Sequence, residues 1–119
     1  MEKDFKKFEG YEDNLQTSIA ILLDSYGVFW HHVANERKTS IQAGAKLKRK
    51  GVKPGVADCI ILEPRGKWHG LFIELKVKGG TLSINQKEWL KKAEDRNYKT
   101  AVAWSIDEVE DLLKEYLKQ

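Results

Sequence analysis

At 119 residues the chain has the size of one domain, 1–119, large enough for a single core and without room for a second. A hydrophobic fraction of 41% and a charged fraction of 33% describe a globular chain; no apolar stretch approaches the roughly 18 residues that span a bilayer. The mixed-charge start, Met1 to Lys7, leads into no apolar block, and the single cysteine, Cys59, excludes an internal disulfide and argues against structural zinc, so a soluble cytoplasmic protein with no membrane contact is expected.

Leu15, Ile19, Leu22, Leu23 and Tyr26 recur at helical spacing and Gly27 follows where a left-handed residue ends a helix, which predicts a helix over 11–26. Val28 to Val33 is rich in β-branched and aromatic residues and reads as a strand. Next comes a basic segment. Arg37, Lys38, Lys46, Lys48, Arg49, Lys50 and Lys53 hold seven of the chain's 21 basic residues with no acid among them, although the net charge is only +3. Gly44, Gly51 and Pro54-Gly55 mark it as a loop. An unneutralised run of this kind attracts polyanions, since each cation placed near a phosphate releases counterions; it also fits a solvated surface loop.

Two further strands are predicted, 56–62 and 71–77, joined as a hairpin through the turn-forming residues Glu63 to Gly70. Ser83 with Gln86 is a capping box opening a helix to about Asn97, with Ile84, Leu90 and Ala93 as inward candidates. Thr100 to Trp104 is a short strand. Ser105 with Glu108 is a second capping box, Trp104 and Val109 a hydrophobic staple, and Val109, Leu112, Leu113, Tyr116 and Leu117 the apolar stripe of a last helix. The resulting order, α-β-β-β-α-β-α, favours an α/β fold, a mixed sheet with helices on its faces.

The hairpin carries the chemistry. If its turn centres on Gly66, Leu62 faces Gly70 and Asp58 faces Glu74. Opposed like charges destabilise a sheet unless something neutralises them, and a divalent cation with oxygen ligands, Mg²⁺ or Mn²⁺, would do so. Lys76 shares the face of Glu74 by the period of two, while Leu71, Ile73, Leu75 and Val77 point into a core. A metal that acidifies water, beside an ammonium that stabilises charge on phosphate, supplies the parts for phosphodiester hydrolysis. Taken alone, Glu74-Leu75-Lys76 equally fits a surface strand with a same-face ion pair, with Asp58 capping the turn near Gly55.

Gly55-Val56-Ala57-Asp58, Phe72-Ile73-Glu74-Leu75-Lys76, and Leu82-Ser83 through Gln86 to Trp89 resemble the motifs of the PD-(D/E)xK nuclease superfamily, and specifically its virus-type replication-repair nuclease (VRR-NUC) domain. Glu12 with Gln16, and Asn35-Glu36, also fall where that family places such residues. The superfamily's proline before the aspartate is here Ala57, which is not a ligand position. The resemblance implies a restriction-endonuclease-like fold and a catalytic set of Asp58, Glu74, Lys76 and Gln86. In it Asp58, Glu74, the Leu75 carbonyl and Glu12 hold Mg²⁺ or Mn²⁺, and Lys76 positions or activates the water. Glu12 fits equally the acid-favouring first turn of a helix, and Gln86 its own capping box.

The expectation is a metal-dependent, structure-selective DNA endonuclease acting on branched DNA such as four-way (Holliday) junctions, as a homodimer, with the 37–53 segment gripping phosphates. The resemblance also implies a phage or prophage setting, in a bacterial or phage-infected cytoplasm. A non-catalytic nucleic-acid-binding module and an RNA-directed nuclease with the same site are the competing readings. A P-loop is excluded, because Gly44 to Gly51 lacks the terminal Gly-Lys-Ser/Thr. His31, His32 and His69 read as structural or as minor DNA contacts, and Cys59 as a small buried hydrophobe.

Overall fold

A computed structural model describes residues 11–34 and 40–119, without the side chains of residues 11–13; the roles expected of the Glu12 side chain and of Asn35, Glu36, Arg37 and Lys38 lie outside the described residues. The elements are α1 (Tyr11–Ser25), β1 (Trp30–His32), α2 (Ile41–Arg49), β2 (Cys59–Ile61), β3 (Leu71–Leu75), α3 (Ile84–Asp95), β4 (Lys99–Ala103) and α4 (Ile106–Leu117). The strands form one sheet in the order β1-β2-β3-β4, antiparallel across the first two pairs and parallel between β3 and β4. A parallel neighbour requires a crossover connection, and α3 supplies it.

The strand period of two divides the core. Cys59, Ile61, Leu71 and Ile73 face one side, where Leu15, Ile19 and Leu23 of α1 and Val109, Leu113 and Tyr116 of α4 cover them. Phe72 faces the other, against Leu90 and Ala93 of α3, with Trp89, Tyr98 and Val102 packed around them. The register of the hairpin is the expected one: Cys59 pairs with Ile73, Ile60 with Phe72 and Ile61 with Leu71. Tyr116 ties the hairpin to α4, its hydroxyl donating to the Glu63 carbonyl at 2.6 Å.

Two expectations are corrected. The basic segment is not all loop, because residues 41–49 form α2. Ser40 caps it by accepting the Ala43 N–H at 3.0 Å. Gly51, at φ 103°, stops it: the Gly51 N–H reaches the Lys48 carbonyl at 3.0 Å and the Val52 N–H the Leu47 carbonyl at 3.0 Å, which is a Schellman ending. Between those signals only Gly44 opposes a helix, at a cost of about 1 kcal/mol, so the full order is α-β-α-β-β-α-β-α. Ile84, expected inward, is 75% exposed at the first position of α3, whereas Leu90 and Ala93 are buried as expected.

Each of the four tryptophans has a partner within the chain. The Trp30 indole donates to Asp24 at 2.8 Å, the Trp104 indole to the Gly80 carbonyl at 3.4 Å, Trp89 packs on Phe72, and Lys67 and Lys99 lie over Trp68. No described helix is long and apolar enough to cross a membrane.

Candidate active site

Antiparallel pairing puts the end of β1, the start of β2 and the end of β3 at one end of the sheet, and α3 begins there as well. Asp58 stands just before β2 and bridges its neighbours. Its carbonyl accepts the Val33 N–H at 2.8 Å and lies 3.0 Å from His32 Nδ1, so its main chain is held to the β1 side. Its carboxylate Oδ2 accepts the Leu75 N–H at 2.8 Å, continuing the pairing with β3 by side chain where the ladder has ended. Asp58 is 9% exposed and Glu74 only 3%, so two carboxylates are buried together at the sheet's end.

Glu74 is held from two sides. Lys76 Nζ lies 3.8 Å from its Oε2, and Gln86 Nε2 donates to the same oxygen at 3.0 Å. Burying a carboxylate without such partners costs several kcal/mol. Lys76 is itself positioned by continued pairing, its N–H donating to the Ala103 carbonyl at 2.9 Å. Gln86 is fixed at its other end, where Oε1 accepts the Ser83 N–H at 2.9 Å while the Gln86 N–H donates to Ser83 Oγ at 3.1 Å. The capping box and the contact with Glu74 are therefore made by one side chain.

Gly55 sets the spacing between Asp58 and Gln86. It sits at φ 79°, a left-handed conformation that favours glycine, and a Cβ there would meet the Asn85 carbonyl carbon and oxygen at 2.4 Å and the Gln86 nitrogen at 2.7 Å. Only a glycine lets the segment entering β2 lie against the first turn of α3. The structure thus brings together Asp58, Glu74, Lys76 and Gln86, with Leu75 between them. It adds two residues that the sequence reading left without a role at the site: Ser83, which orients Gln86, and His32, against the Asp58 carbonyl. The position of His32 on the strand beside the Asp58 segment was the available signal.

Asp58, Glu74 and the neighbouring Leu75 main chain offer oxygen donors, and hard oxygen ligands suit Mg²⁺ or Mn²⁺ rather than a thiophilic metal. Among the described residues no group of three or more His, Cys, Asp or Glu side chains could hold a metal, so the carboxylates available there are these two. Gln16 turns elsewhere, its Oε1 lying 3.9 Å from the Cys59 thiol. Burial, with the charges of Asp58 and Glu74 adding and Gln16 opposing, pushes that thiol up to about 12. Cys59 is accordingly a protonated core residue rather than a nucleophile. His31 is exposed, and His69 packs edge-on against Tyr98.

Lys46, Lys48 and Arg49 of α2 and the following Lys50 and Lys53 are all exposed. The ion pairs among the described residues join Arg65 to Glu63, Lys76 to Glu74 and Lys91 to Asp95. None engages the basic segment.

A family model of the VRR-NUC domain matches residues 11–106. Among solved structures, a VRR_NUC domain protein superposes with a TM-score of 0.74 at 33% identity, covering 90% of this chain and 88% of the other. A second, a VRR_NUC domain at 18% identity, gives a TM-score of 0.60 over 88% of this chain and 96% of its own, which speaks for the fold. A search of the curated proteins finds no match.

Proposed function

The chain belongs to the VRR-NUC family, and from that membership and the residues at the sheet's end we propose a Mg²⁺- or Mn²⁺-dependent endonuclease that hydrolyses phosphodiester bonds of branched DNA. The observation that carries this reading is the buried Glu74 carboxylate, held by both Lys76 and Gln86 at the sheet end where Asp58 is buried as well. In this reading Asp58, Glu74 and the Leu75 carbonyl hold the metal, with Glu12 as a further ligand. Bound there, the metal supplies acidification of water and polarisation of a phosphoryl oxygen.

The protein's own groups do the rest. Lys76 orients a water and offers positive charge where negative charge grows on the phosphate. Gln86 keeps Glu74 in one orientation. The basic segment, Arg37, Lys38, Lys46, Lys48, Arg49, Lys50 and Lys53, binds the polyanion through its backbone, which conveys shape rather than sequence.

Four-way junctions are the substrate that symmetry favours: one such centre cuts one strand, and two matched cuts suit a two-fold homodimer.

The test is incubation with linear, flapped and four-way DNA and with the matching RNAs, with and without Mg²⁺ or Mn²⁺, alongside sedimentation at micromolar concentration. Cleavage of branched DNA that chelator abolishes is the expected result. Binding without metal-dependent cleavage would make the chain a non-catalytic module, and a monomer that nicks one strand per encounter would remove the junction and dimer assignment alone.

A further inference from the structure

Helix α2 is the element that the sheet does not account for. None of its residues is buried, yet it is closed at both ends, by Ser40 and by the Gly51 turn. Only Gly44 and Leu47, three apart and hence on one face, are half-buried. Gln42, Lys46 and Arg49 follow at helical spacing on the opposite face, all exposed, and Ile41 beside them is 91% exposed. The first half is slim, with Ala43, Gly44 and Ala45, and the cations gather in the second. The helix dipole favours cations in a last turn by about 0.3–1 kcal/mol each. It does not explain a helix that has no fully buried residue and carries its charge without carboxylate partners among the described residues.

We propose that α2 lies in the major groove of B-form DNA, which makes the partner a DNA duplex arm rather than an RNA duplex. The proposal deepens the nuclease reading and takes from it that the polyanion is nucleic acid. An α-helix with side chains is about 10–12 Å across, and the B-form major groove, about 12 Å wide, admits it. The A-form major groove is deep and too narrow to be read in this way. Lys46 and Arg49 then meet phosphates at the groove wall, while the slim turn of Ala43, Gly44 and Ala45 lets the helix enter the groove. Placement agrees, for α2 leads through Gly51 to Gly55, which packs on Asn85, and three residues later reaches Asp58.

The experiment measures binding of the wild-type chain in EDTA to a DNA duplex, to the RNA duplex of the same sequence, and to DNA whose major groove is filled by glucosylated 5-hydroxymethylcytosine. DNA is expected to bind about tenfold or more tightly than either of the others, a difference of about 1.4 kcal/mol. A minor-groove ligand such as netropsin should leave binding unchanged. The double variant Lys46→Ala/Arg49→Ala should flatten the dependence of log affinity on log salt by about two units. Equal affinity for RNA and DNA, or indifference to the filled groove, would overturn the proposal, and neither measurement needs a variant to fold. Junction cleavage with Mn²⁺, assayed separately, keeps the two readings apart: its loss would sink the nuclease and leave the groove contact standing, and the converse also holds.

Discussion

Replacing Gly55 by alanine tests whether the site depends on the close approach of two backbones. The substitution carries two costs. A left-handed φ of 79° in a residue with a Cβ costs about 1–2 kcal/mol. The new Cβ also lies 2.4 Å from the Asn85 carbonyl, against an ordinary contact of 3.4–4 Å, so the β2 approach and the first turn of α3 must part by about 1 Å. Forced repacking of that kind costs about 1–3 kcal/mol, for a total of about 2–5 kcal/mol. The displacement falls on the residue that holds Glu74, stretching the 3.0 Å bond from Gln86 beyond hydrogen-bond reach. A 1 Å misplacement lowers catalysis by about 10²-fold. Gly27→Ala is the matched control, with φ 67° but nothing within 4 Å of the added Cβ, so it should show the conformational cost alone and full activity. Thermal unfolding and single-turnover cleavage with Mn²⁺ on both variants provide the comparison. If Gly55→Ala matched Gly27→Ala in both stability and rate, the spacing argument would be refuted.

Asp58→Asn should abolish cleavage while leaving the metal-free protein at least as stable as wild type, because the amide oxygen can still accept the Leu75 N–H and one buried charge is gone. Asp58→Ala, which orphans that N–H, should cost about 1–3 kcal/mol in urea unfolding. Neutralising Lys46, Lys48, Arg49 and Lys50 together should weaken DNA binding and flatten its salt dependence by up to about four units while metal affinity by calorimetry holds. An unchanged slope would show these four cations to be bystanders. Cys59 is a raised-pKa group, so its protonated form is favoured by folding: its contribution is present below the unfolded thiol range and is lost as pH climbs toward about 12. The stability difference between wild type and Cys59→Ala should therefore shrink above about pH 8.5, and native Cys59 should resist alkylation at neutral pH.

The hairpin register rested on an assumed turn centre at Gly66; the observed pairing of Cys59 with Ile73 and of Ile61 with Leu71 fits that centre, whereas a centre one residue away would move Asp58 to the other face from Glu74. Helix α2 was missed for a local reason. Gly44 and Gly51 were weighed alike as breakers, yet one is an interior residue tolerated by good helix formers and the other the left-handed stop; the pair of signals, Ser40 before and Gly51 after, was there to be read. The shortness of β2 was not legible. Val56 to Asp58, expected in the strand, leave the ladder, because Gly55 must pack on α3 and Asp58 pairs with β3 through its side chain.

Gln86 shows why cap and site were not alternatives. An amide has two ends, and here the oxygen serves the Ser83 N–H while the nitrogen serves Glu74. A glutamate at the same position would cap as well or better, since it adds a negative charge at the positive end of the helix. Helix α4 carries that choice, with Glu108 three residues after its cap Ser105. At α3 a glutamate would add a third carboxylate beside the buried Asp58 and Glu74, and the like charges would repel. The requirement for a donor facing Glu74 therefore selects glutamine over glutamate at position 86, and it ties the orientation of the buried acid to the folding of the first turn of α3.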